Sequence, residues 1–182
     1  LTYDSGNYEP TLDRALEMVG YDDLRAEQQR RRDAGERKHL GIGVATYVEM
    51  CGLAPSRVLA SLNYAAGGWE AATVSVLPTG KVQVVSGATP HGQGHETCWS
   101  QIVADRLGVE PGDIEVLHSD TAISPTGMDS YGSRSMAVGG TAIVMAADQV
   151  VAKARALAAH QLEVSEDDLE FTDGTFRLKG SP

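Results

Sequence analysis

The segment Lys81-Val82-Gln83-Val84-Val85-Ser86-Gly87-Ala88-Thr89-Pro90-His91-Gly92-Gln93-Gly94-His95-Glu96-Thr97 passes from a β-rich string, through a glycine-rich turn, into the start of a helix. Valines suit a pleated strand over 81–86. Beyond His95 the helix is expected to run to Leu107, with Ile102, Val103 and Leu107 on its apolar face. Upstream, Ala72 to Leu77 forms the other arm of a hairpin turned by Pro78-Thr79-Gly80. Downstream, Pro111-Gly112-Asp113 marks a turn, and Ile114 to His118 alternates as a strand.

After that strand, Thr121 to Tyr131 is a loop rich in Ser, Pro, Thr and Gly, and a long helix is expected from about Gly132 to Gln161. A last hairpin spans Leu169 to Leu178 around Asp173-Gly174. Towards the amino end, Leu12, Leu16 and Val19 line one face of a helix that begins near Pro10 and stops at Gly20. A polar helix follows over Asp22 to Ala34, then a β-rich run from Leu40 to Met50 and an irregular stretch over Gly52 to Gly68. The expected fold class is α+β (mixed α/β), with helices packed on mixed sheets. A shift in charge balance marks 1–38 as a helical lead-in and 39–182 as the main domain.

The chain has 182 residues, 42% hydrophobic and 22% charged, which is ordinary globular composition. Its net charge of −10 excludes a nucleic-acid partner, which needs clustered cations. The one basic run, Arg30-Arg31-Arg32, is flanked by Glu27, Asp33 and Glu36 and reads as a solvated helix face. Cys51 and Cys98 form no CxxC pair and are expected to be small buried groups. No apolar run approaches the roughly 20 residues that span a bilayer, and no signal peptide is visible, so a cytoplasmic location is expected. The ends, Leu1 and Lys179-Gly180-Ser181-Pro182, are expected to be cuts in something longer.

Chemistry concentrates in two places. Gly92 and Gly94 let the backbone turn tightly around Gln93, and the helix start behind them presents free N–H groups and a positive dipole end. Gln93 adds an amide and Thr97 a hydroxyl. An anion cradle and an empty strand-to-helix turn are both compatible with these residues. A third glycine is missing for a dinucleotide fingerprint, and a Walker loop would end in GKS or GKT. His91 and His95 are four apart, but Gly92 stands where the HExxH zinc pattern needs Glu, and the glycines oppose a helix there. The second place is Asp129-Ser130-Tyr131-Gly132-Ser133-Arg134-Ser135, where Ser133 and Ser135 can cap a helix and Arg134 offers a fork of donors. Two helix starts of this kind, each after a strand and a loop, suit a shared pyrophosphate.

GQGHET leading into a helix, followed by DxxYGSRS opening a long one, resembles the molybdopterin-binding part of the xanthine oxidase family. The strings GIGVATYVEMCG, GGWEAATVSVLPTGKV, SGATPHGQGHET, VLHSDT and YGSRSMAVGG resemble its carbon monoxide dehydrogenase-type large subunits over nearly the whole chain. The resemblance implies a fragment of a subunit that holds molybdenum on a molybdopterin cytosine dinucleotide. Gly92, Gln93, Gly94, His95, Glu96 and Thr97 would form one contact loop, and Ser133, Arg134 and Ser135 another. Gln93 would lie near the pterin–molybdenum end and the N–H groups of Gly94 to Thr97 near the phosphates. The implied enzymes oxidise carbon monoxide, aldehydes or N-heterocycles with oxygen from water, and pass electrons to iron–sulfur and flavin subunits of an oligomeric complex. The substrate-selecting loop and the catalytic glutamate are expected outside this chain, which leaves it no catalytic residue, no direct metal ligand and no turnover of its own. The residues themselves leave two other readings: a stand-alone nucleotide- or phosphate-binding module, and a structural domain whose glycines merely shape helix starts.

Overall fold

The computed structural model describes residues 6–49, 51–53 and 56–180; the opening turn at Asp4-Ser5, Met50 at the end of the β-rich run, and Ser181-Pro182 lie outside them. The chain divides into two compact units, Leu1–Val48 and Glu49–Pro182.

In the first unit, α1 (Glu9–Val19) starts with Pro10 in its first turn and stops at Gly20, whose left-handed backbone (φ 64°) returns its N–H to Glu17. α2 (Tyr21–Asp33) follows directly. Its Arg30 and Arg31 grip Glu27 at 2.6 and 2.7 Å, and Arg30 reaches Glu36 at 2.9 Å. The two guanidiniums hold the Glu27 carboxyl down at about 2. Arg30 and Arg31 are thus paired with local acids, while Arg32 donates to the Gln29 amide. Gln28 is buried and donates to the Leu40 carbonyl at 2.8 Å. The β-rich run beyond Leu40 forms no strand among the described residues, contrary to its pattern. β propensity measures fit to a paired surface, and Val44, Tyr47 and Val48 stand exposed, with Tyr47 at 91%.

The second unit opens on a short helix, α3 (Ser56–Ser61), within the stretch expected to be irregular; Leu59 anchors it in the interior. β1 (Ala72–Val76) and β2 (Val82–Ser86) pair antiparallel, with Val74 opposite Val84. The chain then crosses through α4 (His95–Leu107) to β3 (Ile114–Leu117), which pairs parallel to β2 with Val85 opposite Leu117. The result is a three-stranded mixed sheet in the order β1-β2-β3. Val74, Val82 and Val84 pack beneath Trp99, Val103 and Leu107 of α4 and Ile143 and Ala147 of α5 (Thr141–Leu162). Trp99, absent from the expected apolar face, is among the largest fully buried side chains.

The expected long helix begins differently. Ser135–Gly140 winds as a π-helix before α5 takes over, and wide turns of this kind recur at functional sites. The joined run Ser135–Leu162 is long and apolar enough, by length and composition, to cross a membrane, which corrects the expectation that no such run exists. Its apolarity comes from many alanines, with no single block of large side chains, and Ile143, Ala147 and Ala159 on its inner side are buried. Finally, β4 (Leu169–Thr172) and β5 (Thr175–Leu178) form the expected hairpin. Its Gly174 lies against Gly108 at the end of α4 so closely that a Cβ on Gly108 would meet backbone.

Candidate cofactor site

Because β2 and β3 are parallel neighbours, the segments that follow them leave the sheet at the same edge. Ligands of α/β sheets gather at such carboxyl ends. The loop after β2 carries Gly92 to Gly94 and runs into α4 with His95 to Thr97; the loop after β3 leads to Ser133, Arg134 and Ser135.

The two loops touch. A Cβ on Gly87 would fall 2.6 Å from the Gly127 Cα and 2.3 Å from the Glu70 carboxylate, so only glycine permits this crossing. Just beyond it, Asp129 Oδ1 accepts the N–H groups of Thr89 at 3.0 Å and Ser130 at 2.7 Å. Burial would raise the Asp129 pKa, but these N–H donors outweigh it and the net direction is down. Asp129 itself is left-handed, with φ 69°.

The first loop lies open. Gly92 (φ 92°) and Gly94 (φ 76°) adopt the left-handed backbone, and a Cβ on either would meet nothing within 4 Å. Glycine is required there for conformation, while the space above stays accessible. The Gln93 side chain folds back to accept the His91 N–H. α4 then begins with no side-chain cap. Its dipole end is met by the Glu96 carboxylate, which is held below the ordinary carboxylate pKa by its own backbone N–H and by His118. His118 Nε2 lies 2.9 Å from Glu96 Oε1, and its Nδ1 lies 2.7 Å from the Ser119 hydroxyl. His95 stacks on Trp99 at 4.8 Å; burial lowers its pKa, opposed by Glu96. Thr97 is exposed.

In the second loop, Ser133 donates to Glu49 at 2.9 Å and the Ser135 hydroxyl pairs with Ser130 at 2.8 Å. Arg134 turns inward. Its Nη1 meets Glu70 at 2.9 Å and the Asp129 carbonyl at 2.6 Å, its Nη2 donates to the Trp69 carbonyl, and its guanidinium lies 5.1 Å from the Tyr131 ring. The Tyr131 hydroxyl in turn pairs with that of Tyr64 at 3.0 Å, which raises its pKa. Among the described residues, no hydrogen bond or ion pair joins Gly92–Thr97 directly to Ser133, Arg134 or Ser135; the bridge between the loops runs through Asp129 and Thr89.

Two buried side-chain nitrogens among the described residues have no partner, His95 Nδ1 and Arg134 Nε. Each belongs to one of the two motifs. Buried polar atoms are rarely left unpaired, so an additional partner at this edge fits the geometry. A surface hollow between β1 and α5, by contrast, includes neither loop.

Sequence reasoning passed over Glu70. A lone acid between Trp69 and Ala71, directly before a strand, is a signal for a buried carboxylate, which must find a partner. That the partner is Arg134 was not visible in one sequence.

A family model described as a molybdopterin cofactor-binding domain matches residues 14–182. The chain belongs to that family. It is 41% identical to the carbon monoxide dehydrogenase large chain of Afipia carboxidovorans, over 99% of this chain and 22% of that protein. It is 37% identical to the gamma subunit of the 6-hydroxypseudooxynicotine dehydrogenase complex of Paenarthrobacter nicotinovorans, over 98% of this chain and 21% of that one. Among solved structures, a Cu,Mo-CO dehydrogenase in its carbon monoxide-reduced state matches with a TM-score of 0.66 at 40% identity, covering 98% of this chain and 23% of that one. The α+β fold and the resemblance to carbon monoxide dehydrogenase-type large subunits are therefore established. This molybdopterin-binding domain spans about a fifth of the length of the curated relatives it matches.

Proposed function

We propose that this chain is the part of a molybdenum hydroxylase's large subunit that holds the pterin and phosphates of a molybdopterin cytosine dinucleotide. The observation that carries the proposal is the meeting of two motif loops at the carboxyl ends of β2 and β3, the first of them with a buried His95 Nδ1 that lacks a partner. Gly92 to Thr97 offer an accessible backbone and a helix start for phosphate, with Gln93 as an amide contact. Glu96 occupies its own N–H and the folded-back Gln93 that of His91, and both would swing aside for a ligand. Ser133 and Ser135 offer hydroxyls. The inward course of Arg134 favours support of the loop through its own contacts.

When bound, the cofactor would supply the redox centre at which a small molecule (carbon monoxide, an aldehyde or an N-heterocycle) is oxidised with oxygen from water. In this reading the chain's part is to bind and orient the cofactor. Iron–sulfur and flavin subunits would receive the electrons, and the assembly would be a cytoplasmic oligomer.

The test uses the full-length protein from cells grown with molybdate. Metal analysis should find molybdenum, and denaturation should release a cytosine nucleotide. A well-folded preparation with a bound nucleotide and no molybdenum would instead favour a phosphate-binding module without redox activity.

A further inference from the structure

We infer that Glu70 is a positioning residue for the two cofactor loops, acting through Arg134 and Asp129 without touching the cofactor. The inference rests on the reading of those loops in the preceding subsection. Two segments far apart in sequence, the threshold of β1 and the stretch from Met128 to Arg134, meet at this one carboxylate, whose side chain is fully enclosed. Glu70 accepts the Ala71 N–H at 3.0 Å, at the threshold of β1. Both of its oxygens accept the Met128 N–H at 3.2 Å, in the loop after β3. Oε2 accepts from Arg134 Nη1 at 2.9 Å, at the start of the π-helix.

From there the chain of contacts continues outward. The same Nη1 donates to the Asp129 carbonyl at 2.6 Å, and the Asp129 carboxylate accepts the Thr89 N–H at 3.0 Å. Thr89 lies directly before Pro90, where the open loop begins. Glu70 Oε1 also lies under Gly87, where a Cβ would reach it at 2.3 Å. One buried acid therefore fixes the second loop directly and the approach to the first at one remove. Every neighbour that reaches its oxygens is a donor, so the site needs a group that accepts on both sides. Glutamine cannot satisfy it: its amide nitrogen would face either Met128 N–H or Arg134 as donor against donor.

The experiment is Glu70→Gln in the full-length holoprotein, with molybdenum per folded polypeptide and amide hydrogen exchange at Met128 and Thr89 as readouts. Cofactor content should fall roughly tenfold or more, as for other supports of a bound centre, and both amides should exchange faster. Thr89 is decisive, since Glu70 does not touch it. The exposed strut provides a second arm that spares the interior. Asp129→Gly, which keeps the left-handed backbone but removes the acceptor, should reproduce the loss, and Asp129→Asn, which keeps an acceptor, should restore it. Folded Glu70→Gln protein with wild-type cofactor content and wild-type exchange at Thr89 overturns the inference. If that variant fails to fold, wild-type values in Asp129→Gly overturn it. Wild-type protein without molybdenum would sink the proposed function instead, while exchange at Met128 and Thr89 would still decide whether Glu70 holds the loops.

Discussion

Arg134 and Glu70 meet at 2.9 Å with their side chains 1% and 0% exposed, so the guanidinium expected to reach for a phosphate is committed to the interior. An ion pair this deep costs much desolvation and survives because neighbouring groups complete its hydrogen bonds. Here the Trp69 and Asp129 carbonyls and the Met128 N–H supply most of them, and the Arg134 Nε alone is left without a partner.

Removing one partner should therefore be costly. Arg134→Met leaves the Glu70 charge buried and unpaired, and should destabilise the domain by about 3–5 kcal/mol. Urea unfolding of the single variants and of Glu70→Leu/Arg134→Met gives the comparison. The double variant should be less damaged than the sum of its singles, and strict additivity would show that the pair is not coupled.

Glycines in the two loops should separate into two classes. Gly94→Ala strains only the backbone, at about 1–2 kcal/mol, since a Cβ there meets open space. Gly87→Ala drives a Cβ into Gly127 backbone and the Glu70 carboxylate, and should cost more than about 3 kcal/mol. Melting temperatures of the two variants check the order, and a milder effect at Gly87 would contradict the loop crossing.

Acidification should loosen the start of α4. The Glu96 carboxyl in the folded protein sits below its ordinary 4.5 because of its own N–H and His118. The folded state then binds that proton less readily than the unfolded chain. The contribution is complete above the unfolded value and is lost as pH falls through the lower folded one. Glu96→Gln should remove this part of the pH dependence; superimposable stability–pH curves for variant and wild type would refute it.

Much of this was legible in the sequence. The hairpin at Pro78-Thr79-Gly80, the α4 span and the strand after it follow from local periodicity and turn chemistry, which one sequence carries. What escaped depends on partners. The run Leu40 to Val48 has strand composition but pairs with nothing described, because propensity does not supply a neighbouring strand. Gly139-Gly140 lie in a π-turn where a regular helix was expected. Arg134 read as an anion ligand because its short-range motif shows a helix start, while its partner stands 64 residues earlier. The motif positions Gly92 to Thr97 were visible; the crossing of Gly87 on Gly127 and the strut from Asp129 to Thr89 are tertiary facts.

Gln93 is the side chain proposed to link the loop to the cofactor. Its side chain turns back on the His91 N–H, so Gln93→Ala should leave the fold intact while weakening cofactor retention roughly tenfold. Comparison of molybdenum content with far-UV circular dichroism separates the two effects.

The most direct test of the central claim is the ratio of molybdenum to polypeptide in the full-length protein, wild type against Gln93→Ala. A near-stoichiometric ratio in the wild type that falls sharply in the variant, with the fold unchanged, is the predicted result. Equal ratios in the two proteins, or no molybdenum in a well-folded wild type, would contradict the assignment of Gly92 to Thr97 as the cofactor's grip.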